Sequence, residues 1–355
     1  MKSAAHITRV LVQHGAWVAS EIRRRGWPHH LVHFYGLTPG DDLMCTAVLR
    51  EMRRRGRQGV WMMTRFPDLF ERNHDADAVV PFDERYERMV SWLGGRRWHA
   101  RYDERDPVAD RSTQPEQHII ALMCEACGIA GRVTLRPYLS LSDEERAAGR
   151  LAPRQIALHS SGLSAQSAMR NKEWFADRFQ GVVDALRREY TFVQLGAPTD
   201  PPLNGCMDLR GRTTMRQSAA ILASSVLVLA QVGFLMHLAR AVDRPAVIIY
   251  GGREMPWQSG YSCNINLWTP LSCAPCWRWS ACDNPIEREC MRRIAIDDVV
   301  VAVRECAEHA DELLTEDVAF IGASDADRVS PEPSSGPSRR PPTDVRRRRR
   351  SPTRT

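Results

Sequence analysis

The chain is 355 residues long, 43% hydrophobic and 26% charged, with a formal net charge of +6. That length holds two domains with ordinary cores, and no run of about eighteen uncharged apolar residues offers a membrane span. Nine Arg against four acidic residues lie in 322–355, so the body is close to neutral and does not read as a basic nucleic-acid binder.

Residues 1–30 read as an N-terminal extension with no apolar core and cleavage site of a secretory signal, which leads us to expect a cytoplasmic protein. Residues 31–36 (LVHFYG) form a short apolar and aromatic run that predicts a buried strand. The turn 38–42 (TPGDD) follows, then an amphipathic helix over 43–55 with Leu43, Ala47, Val48 and Met52 on one side, an Arg-rich end, and Gly56 closing it. Residues 59–64 and 78–81 read as further strands, and 114–127 as a helix. Strand, turn, helix, strand implies a parallel sheet. Cys124 and Cys127 form a CxxC inside the helical pattern and receive no role.

A charged stretch at 143–154 marks a junction. Beyond it strands are expected at 156–159, 191–195, 226–230 and 246–250, with helices at 171–189, 214–223, 235–242 and 296–313. The expected fold is α/β, two Rossmann-like domains (31–150 and 151–320) facing across a cleft, where ligands sit at the carboxyl ends of the strands. Residues 321–355, rich in Pro, Ser and Arg with Arg346 to Arg350 in one run, read as a disordered basic tail. Such a tail is either solvated with no specific partner or a weak contact to an anionic membrane.

Cys273, Cys276, Cys282 and Cys290 fall within eighteen residues, in a loop over 273–290. Short thiol clusters of this kind hold tetrahedral metals, and Pro275 stiffens the first turn. The spacing predicts a metal or disulfide staple. A metal here, zinc or iron, would be structural, because four protein ligands leave no open position for substrate. We expect no catalytic metal.

Several stretches together resemble glycosyltransferase family 9, the ADP-heptose:lipopolysaccharide heptosyltransferases. They are Gly40-Asp41 before its helix, residues 64–77, His159-Ser160-Ser161 followed by Lys172-Glu173-Trp174, Gln194-Leu195-Gly196, residues 208–214, Leu235-Met236-His237, Arg244-Pro245 and Gly251-Gly252. The four-cysteine segment is similar to an insertion found in part of that family. The resemblance implies a GT-B fold and an inverting transfer of a sugar, with heptose from ADP-heptose as the expected donor. It implies a lipopolysaccharide-core, other glycan, lipid-linked or protein acceptor, no specific nucleic acid, and work in the cytoplasm or at the inner face of the membrane. Matched to the family's GD turn, Asp41 would be the general base; its residue type fits a helix N-cap equally well. Lys172 would face the diphosphate, or be an exposed cation in a first helical turn. Ser160 and Ser161 would bind phosphate oxygens, or be plain turn residues. Gly233 and His237 complete the expected donor side. One departure stands out: where the family places Asp, Ser or Thr and then Gly before Leu-Met-His, this chain has Val232 and Phe234, with Gly233 one residue early. That leaves a second reading, a non-catalytic scaffold of the same fold that has lost the donor-phosphate loop. A third is a sugar-nucleotide epimerase.

Overall fold

The computed structural model describes residues 4–35, 38–166 and 168–322, with side chains from Gly15 onward. The basic tail therefore lies outside the described residues, apart from Ile321 and Gly322. The first half runs α1 (Ala4–Arg25), β1 (His30–His33), α2 (Pro39–Arg54), β2 (Val60–Thr64), β3 (Ala78–Pro81), α3 (Glu84–Trp92), β4 (Arg96–His99), a hairpin of β5 (Arg105–Asp106) and β6 (Arg111–Ser112), α4 (Ile119–Ala126), β7 (Gly131–Thr134) and α5 (Asp143–Ala148). The second runs β8 (Gln155–His159), α6 (Ala176–Leu186), β9 (Thr191–Gln194), β10 (Cys206–Asp208), α7 (Met215–Ala223), β11 (Leu227–Gln231), α8 (Phe234–Ala241), β12 (Ala246–Ile249), α9 (Pro256–Ser259), β13 (Ile265–Leu267), α10 (Glu289–Arg292), α11 (Ile296–Glu308) and β14 (Val318–Ile321).

Two parallel sheets result, in the orders β3-β2-β1-β4 and β10-β9-β8-β11-β12-β13. Inner strands such as Val60–Thr64 and Leu227–Gln231 are fully buried runs, as expected where a sheet is covered on both faces. β14 then returns to pair antiparallel with β7 of the first half. A single buried cluster runs through both halves, from Val32 and Leu43 through Leu222, Met236 and Tyr261. α1 closes the outer face of the first sheet, where Trp17 and Val18 pack with Leu31, Trp61 and Tyr86. The N-terminal extension is thus largely a helix that covers apolar strands.

The helix expected over 171–189 is shorter. Residues Arg170–Lys172 make a 3-10 turn, Phe175 takes a positive φ of 65°, and α6 begins only at Ala176. A non-glycine residue there stops the helix from extending backwards. Lys172 therefore does not occupy a first turn of α6, and its placement follows from its contacts instead. α2 also begins earlier than expected: Thr38 is its N-cap residue and Pro39 its first turn. Asp41 lies inside the helix, not at the cap. The helices expected over 114–127 and 296–313 are trimmed to α4 and α11.

Candidate active site

The C-terminal end of β1 leads into α2, whose N-terminus meets that of α8. A Cβ added to Gly40 would lie 3.5 Å from the Phe234 Cα and 3.6 Å from the His237 ring, so glycine allows this approach. Asp41 follows at once and is buried. Its carboxylate accepts hydrogen bonds from the Thr38 hydroxyl and, at 3.0 Å, from the Tyr102 hydroxyl, and Arg105 stands 3.7 Å away. Burial raises the Asp41 pKa, against the pull of Thr38, Arg105 and Tyr102. Asp42 is more deeply buried. It accepts from Thr64 at 2.5 Å, leaves its second oxygen without a partner, and is pushed by burial to about 7.

From the second half, Lys172 reaches in and pairs with Glu254 at 2.5 Å, and Arg253 holds the same carboxylate at 3.1 Å. All three side chains are largely buried. Burial alone would push the Glu254 carboxyl up, but Lys172 and Arg253 hold it down at about 2. Burial lowers the Lys172 pKa, Glu254 opposes this, and the Asp41 charge acts in the same sense as Glu254. The base expected in the first half and the cation expected in the second thus lie within electrostatic reach of each other. His237 is buried beside them, its Nδ1 2.6 Å from the Tyr261 hydroxyl, and burial lowers it to about 3, so it is a neutral, hydrogen-bonded side chain.

Gly233 is the N-cap residue of α8, and a Cβ there would meet nothing within 4 Å. The space in front of the helix N-terminus is open, and unpaired amides at such an end suit an anion. Phe234 packs back onto the core and Gly40. Ser160 and Ser161 follow β8 and carry local bonds: Gln194 donates to the Ser160 hydroxyl at 3.2 Å, and the Leu163 amide to Ser161 at 3.3 Å. Glu173, next to Lys172, accepts from Gln231 at the end of β11 and, at 2.7 Å, from the Gly162 amide. The structure therefore gathers Asp41, Lys172, Gly233 and His237 at the α2–α8 junction. The two serines lie just past the end of β8.

Beside the first sheet, a groove of about 630 Å³ runs along edge strand β4, lined by His33, Glu87, Arg96, Arg97, Trp98 and His99. His99 packs on Tyr35 at 4.4 Å and Tyr35 under Arg105 at 5.2 Å, which connects the groove to Asp41.

The four cysteines line one cavity of about 70 Å³ together with Asn171, Gly252 and Arg253. Their thiols are free, and burial raises those of Cys276 and Cys290. The Arg288 amide donates to the Cys282 sulfur at 3.3 Å and the Asn284 side chain to the Cys273 sulfur at 3.6 Å. A thiol set with N–H donors on its sulfurs suits a soft metal. Among the described residues, however, no group of three or more His, Cys, Asp or Glu is gathered so as to hold an ion. The expected disulfide alternative is likewise not formed.

The model of the family described as glycosyltransferase family 9 (heptosyltransferase) matches residues 88–284, more than half of the chain. The chain belongs to this family. No curated protein matches it. Among solved structures, the family 9 glycosyl transferase of Veillonella parvula DSM 2008 is 14% identical, covering 79% of this chain and 98% of that one with a TM-score of 0.59. The ADP-heptose LPS heptosyltransferase II of E. coli is also 14% identical, covering 79% and 99% with a TM-score of 0.59. The iron-containing dodecameric glycosyltransferase TibC of enterotoxigenic E. coli H10407 is 15% identical, covering 79% and 76% with a TM-score of 0.60. The family 9 chain thus has the GT-B fold and is a glycosyltransferase.

Sequence patterns missed several residues that shape this site. Glu254 lies just past the Gly251-Gly252 turn, and Tyr102 and Arg105 lie in a segment with no periodic signal. One signal was available: Lys172 is one of two lysines, with Lys2, in a chain of 49 Lys plus Arg. Where arginine serves nearly every cationic position, a retained lysine asks for a reason.

Proposed function

We propose that this chain transfers a heptose from ADP-heptose, with inversion, to a lipopolysaccharide-core, other glycan or protein acceptor. In this reading residues 31–150 supply the acceptor side and 151–320 the donor side. Asp41 takes the proton of the acceptor hydroxyl as its oxygen bonds to the anomeric carbon and the bond to the diphosphate breaks. Lys172 offsets the negative charge gathering on the leaving ADP, helped by the open N-terminus of α8 beyond Gly233. Ser160, Ser161 and His237 line the same side. The observation that carries the reading is the meeting of α2 and α8, where Gly40 lies against Phe234 and His237 next to Asp41, with Lys172 held by Glu254 on the side of the second half. Support for the donor comes from the neighbour TibC, solved in complex with ADP-D-beta-D-heptose, at 14% identity and a TM-score of 0.61. The groove at Arg96 and Arg97 is where we place an anionic acceptor. No metal takes part in the transfer itself.

ADP titration tests the donor side. At about a hundred times its dissociation constant ADP should stabilise the protein by about 2.7 kcal/mol. Lys172→Ala, and equally Lys172→Arg, should lose most of that gain, because a fork-shaped guanidinium does not replace a compact ammonium held by Glu254. A protein that ADP and ADP-sugars never stabilise would instead be the scaffold suggested by Val232 and Phe234.

The cysteine loop is read as a structural zinc or iron centre held by Cys273, Cys276, Cys282 and Cys290, four residues that line one cavity. TibC is described as iron-containing. Protein purified under anaerobic, reducing conditions should carry close to one metal per chain, lost in a Cys276→Ser/Cys282→Ser double variant. Metal-free protein with the same melting behaviour would remove the claim. We place the enzyme in the cytoplasm, at the inner face of the membrane. The five-arginine run of the tail supports a weak contact with anionic lipid.

A further inference from the structure

The four-cysteine loop is bonded to three segments, and each of them carries a charged residue of the candidate site. First, the Cys276 amide donates to the Gly252 carbonyl at 2.8 Å and the Trp277 amide to the Arg253 carbonyl at 2.9 Å. The buried Trp277 ring lies 4.4 Å under the Arg253 guanidinium. Glu254 is the next residue. Second, the Asn171 amide donates to the Trp279 carbonyl at 3.1 Å, and its side chain donates to the carbonyls of Ala281 at 2.8 Å and Arg278 at 3.3 Å. Lys172 is the next residue. Third, the loop grips the β5–β6 hairpin. The Ser112 amide donates to the Trp277 carbonyl and the Trp279 amide to the Asp110 carbonyl, both at 3.0 Å, and the Asp110 carboxylate accepts the amides of Ser280 and Ala281. That hairpin presents Arg105 to Asp41.

We propose that the four-cysteine loop is a three-way strut that positions Lys172 and Glu254 of the second half against Asp41 of the first, with Glu254 the positioning residue that holds the Lys172 ammonium. A buried ion pair repays its desolvation only in well-held geometry, and reacting groups lose much of their effect when displaced by about an ångström. An insertion that merely filled surface would not be anchored beside all three groups. The strut joins the Asn171 and Arg253 backbones through one rigid turn, and so fixes the separation of the side chains that follow them.

The near-absence of lysine provides the readout. Lysine-directed reductive methylation of the full chain, followed by peptide at several pH values, reports on Lys172 with Lys2 as internal reference, and it needs no nucleotide. In wild type Lys172 should react more slowly than Lys2. Glu254→Gln should move the Lys172 midpoint to lower pH and Arg253→Gln to higher pH, opposite signs that general loosening would not produce. Asn171→Leu should speed Lys172 labelling at fixed pH several-fold by opening the buried amine to the reagent, while the thermal melt stays cooperative. Asp110→Ala, on the hairpin, is the second loop variant and should also speed it. Arg304→Ala, in an exposed pair with Glu189 outside the loop contacts, should change nothing. The proposal is overturned if both loop variants label as wild type does, or if the Glu254 and Arg253 variants shift the midpoint the same way. ADP is a separate arm. If ADP fails to protect wild-type Lys172 while the variants behave as stated, the strut stands and the diphosphate reading falls.

Discussion

Asp41 is a carboxylate whose neighbours pull in opposite directions. Burial raises its pKa, Thr38, Arg105 and Tyr102 lower it, and Asp103 raises it again. A general base acts in its deprotonated form, so transfer should fall as pH drops through this pKa, at a pH above the ordinary aspartate value of about 3.9. The neighbours give the test its sign. Arg105→Gln and Tyr102→Phe should each move the acid limb of kcat/KM to higher pH, and Asp103→Asn should move it to lower pH. A limb indifferent to all three would mean that another group titrates. Asp42 is not an equivalent candidate, since it keeps its proton up to about pH 7 and points at Thr64.

At the scale of elements, the α8 N-terminus is the feature whose reading changed most. From sequence, Phe234 stood where a small residue was expected. In the fold its ring turns to the core and Gly233 faces open space. Gly233→Ala should therefore fold and melt as wild type does, yet weaken ADP binding several-fold by putting a methyl group before the helix amides. Unchanged ADP affinity in that variant would remove α8 from the donor site. Strands with continuous apolar runs, such as Leu227–Gln231, and helices with clean apolar faces, such as α11, were legible because periodicity reports burial directly. The start of α6 was not. Trp174 and Phe175 look like part of its apolar face, but Glu173 is drawn aside by Gln231 and Gly162, and Phe175 turns the chain with a positive φ. Tertiary partners decided that boundary, and single-sequence patterns do not contain them. The same holds for the site itself. Asp41 and Lys172 were singled out by their match to the family's motifs, whereas Glu254, Arg105 and Tyr102 acquire meaning only when distant segments meet.

For the molecule as a whole, one core passes through both sheets, and the last described strand pairs back with the first half. α2 packs on α8, Arg216 of α7 reaches Glu145 of α5 at 2.6 Å, and the cysteine loop bonds to the β5–β6 hairpin. Each of these contacts joins the first half to the second, so the junction between Asp41 and Lys172 is supported from several directions. The most direct measurement of the central claim is single-turnover transfer from ADP-heptose by Asp41→Asn beside wild type, with ADP affinity measured on the same preparations. The account predicts a rate lower by about a hundred- to ten-thousand-fold, with ADP affinity within about twofold, since the proposed role of Asp41 is on the acceptor hydroxyl and not on the diphosphate. A near-normal rate in Asp41→Asn, with the fold and ADP binding intact, would contradict it.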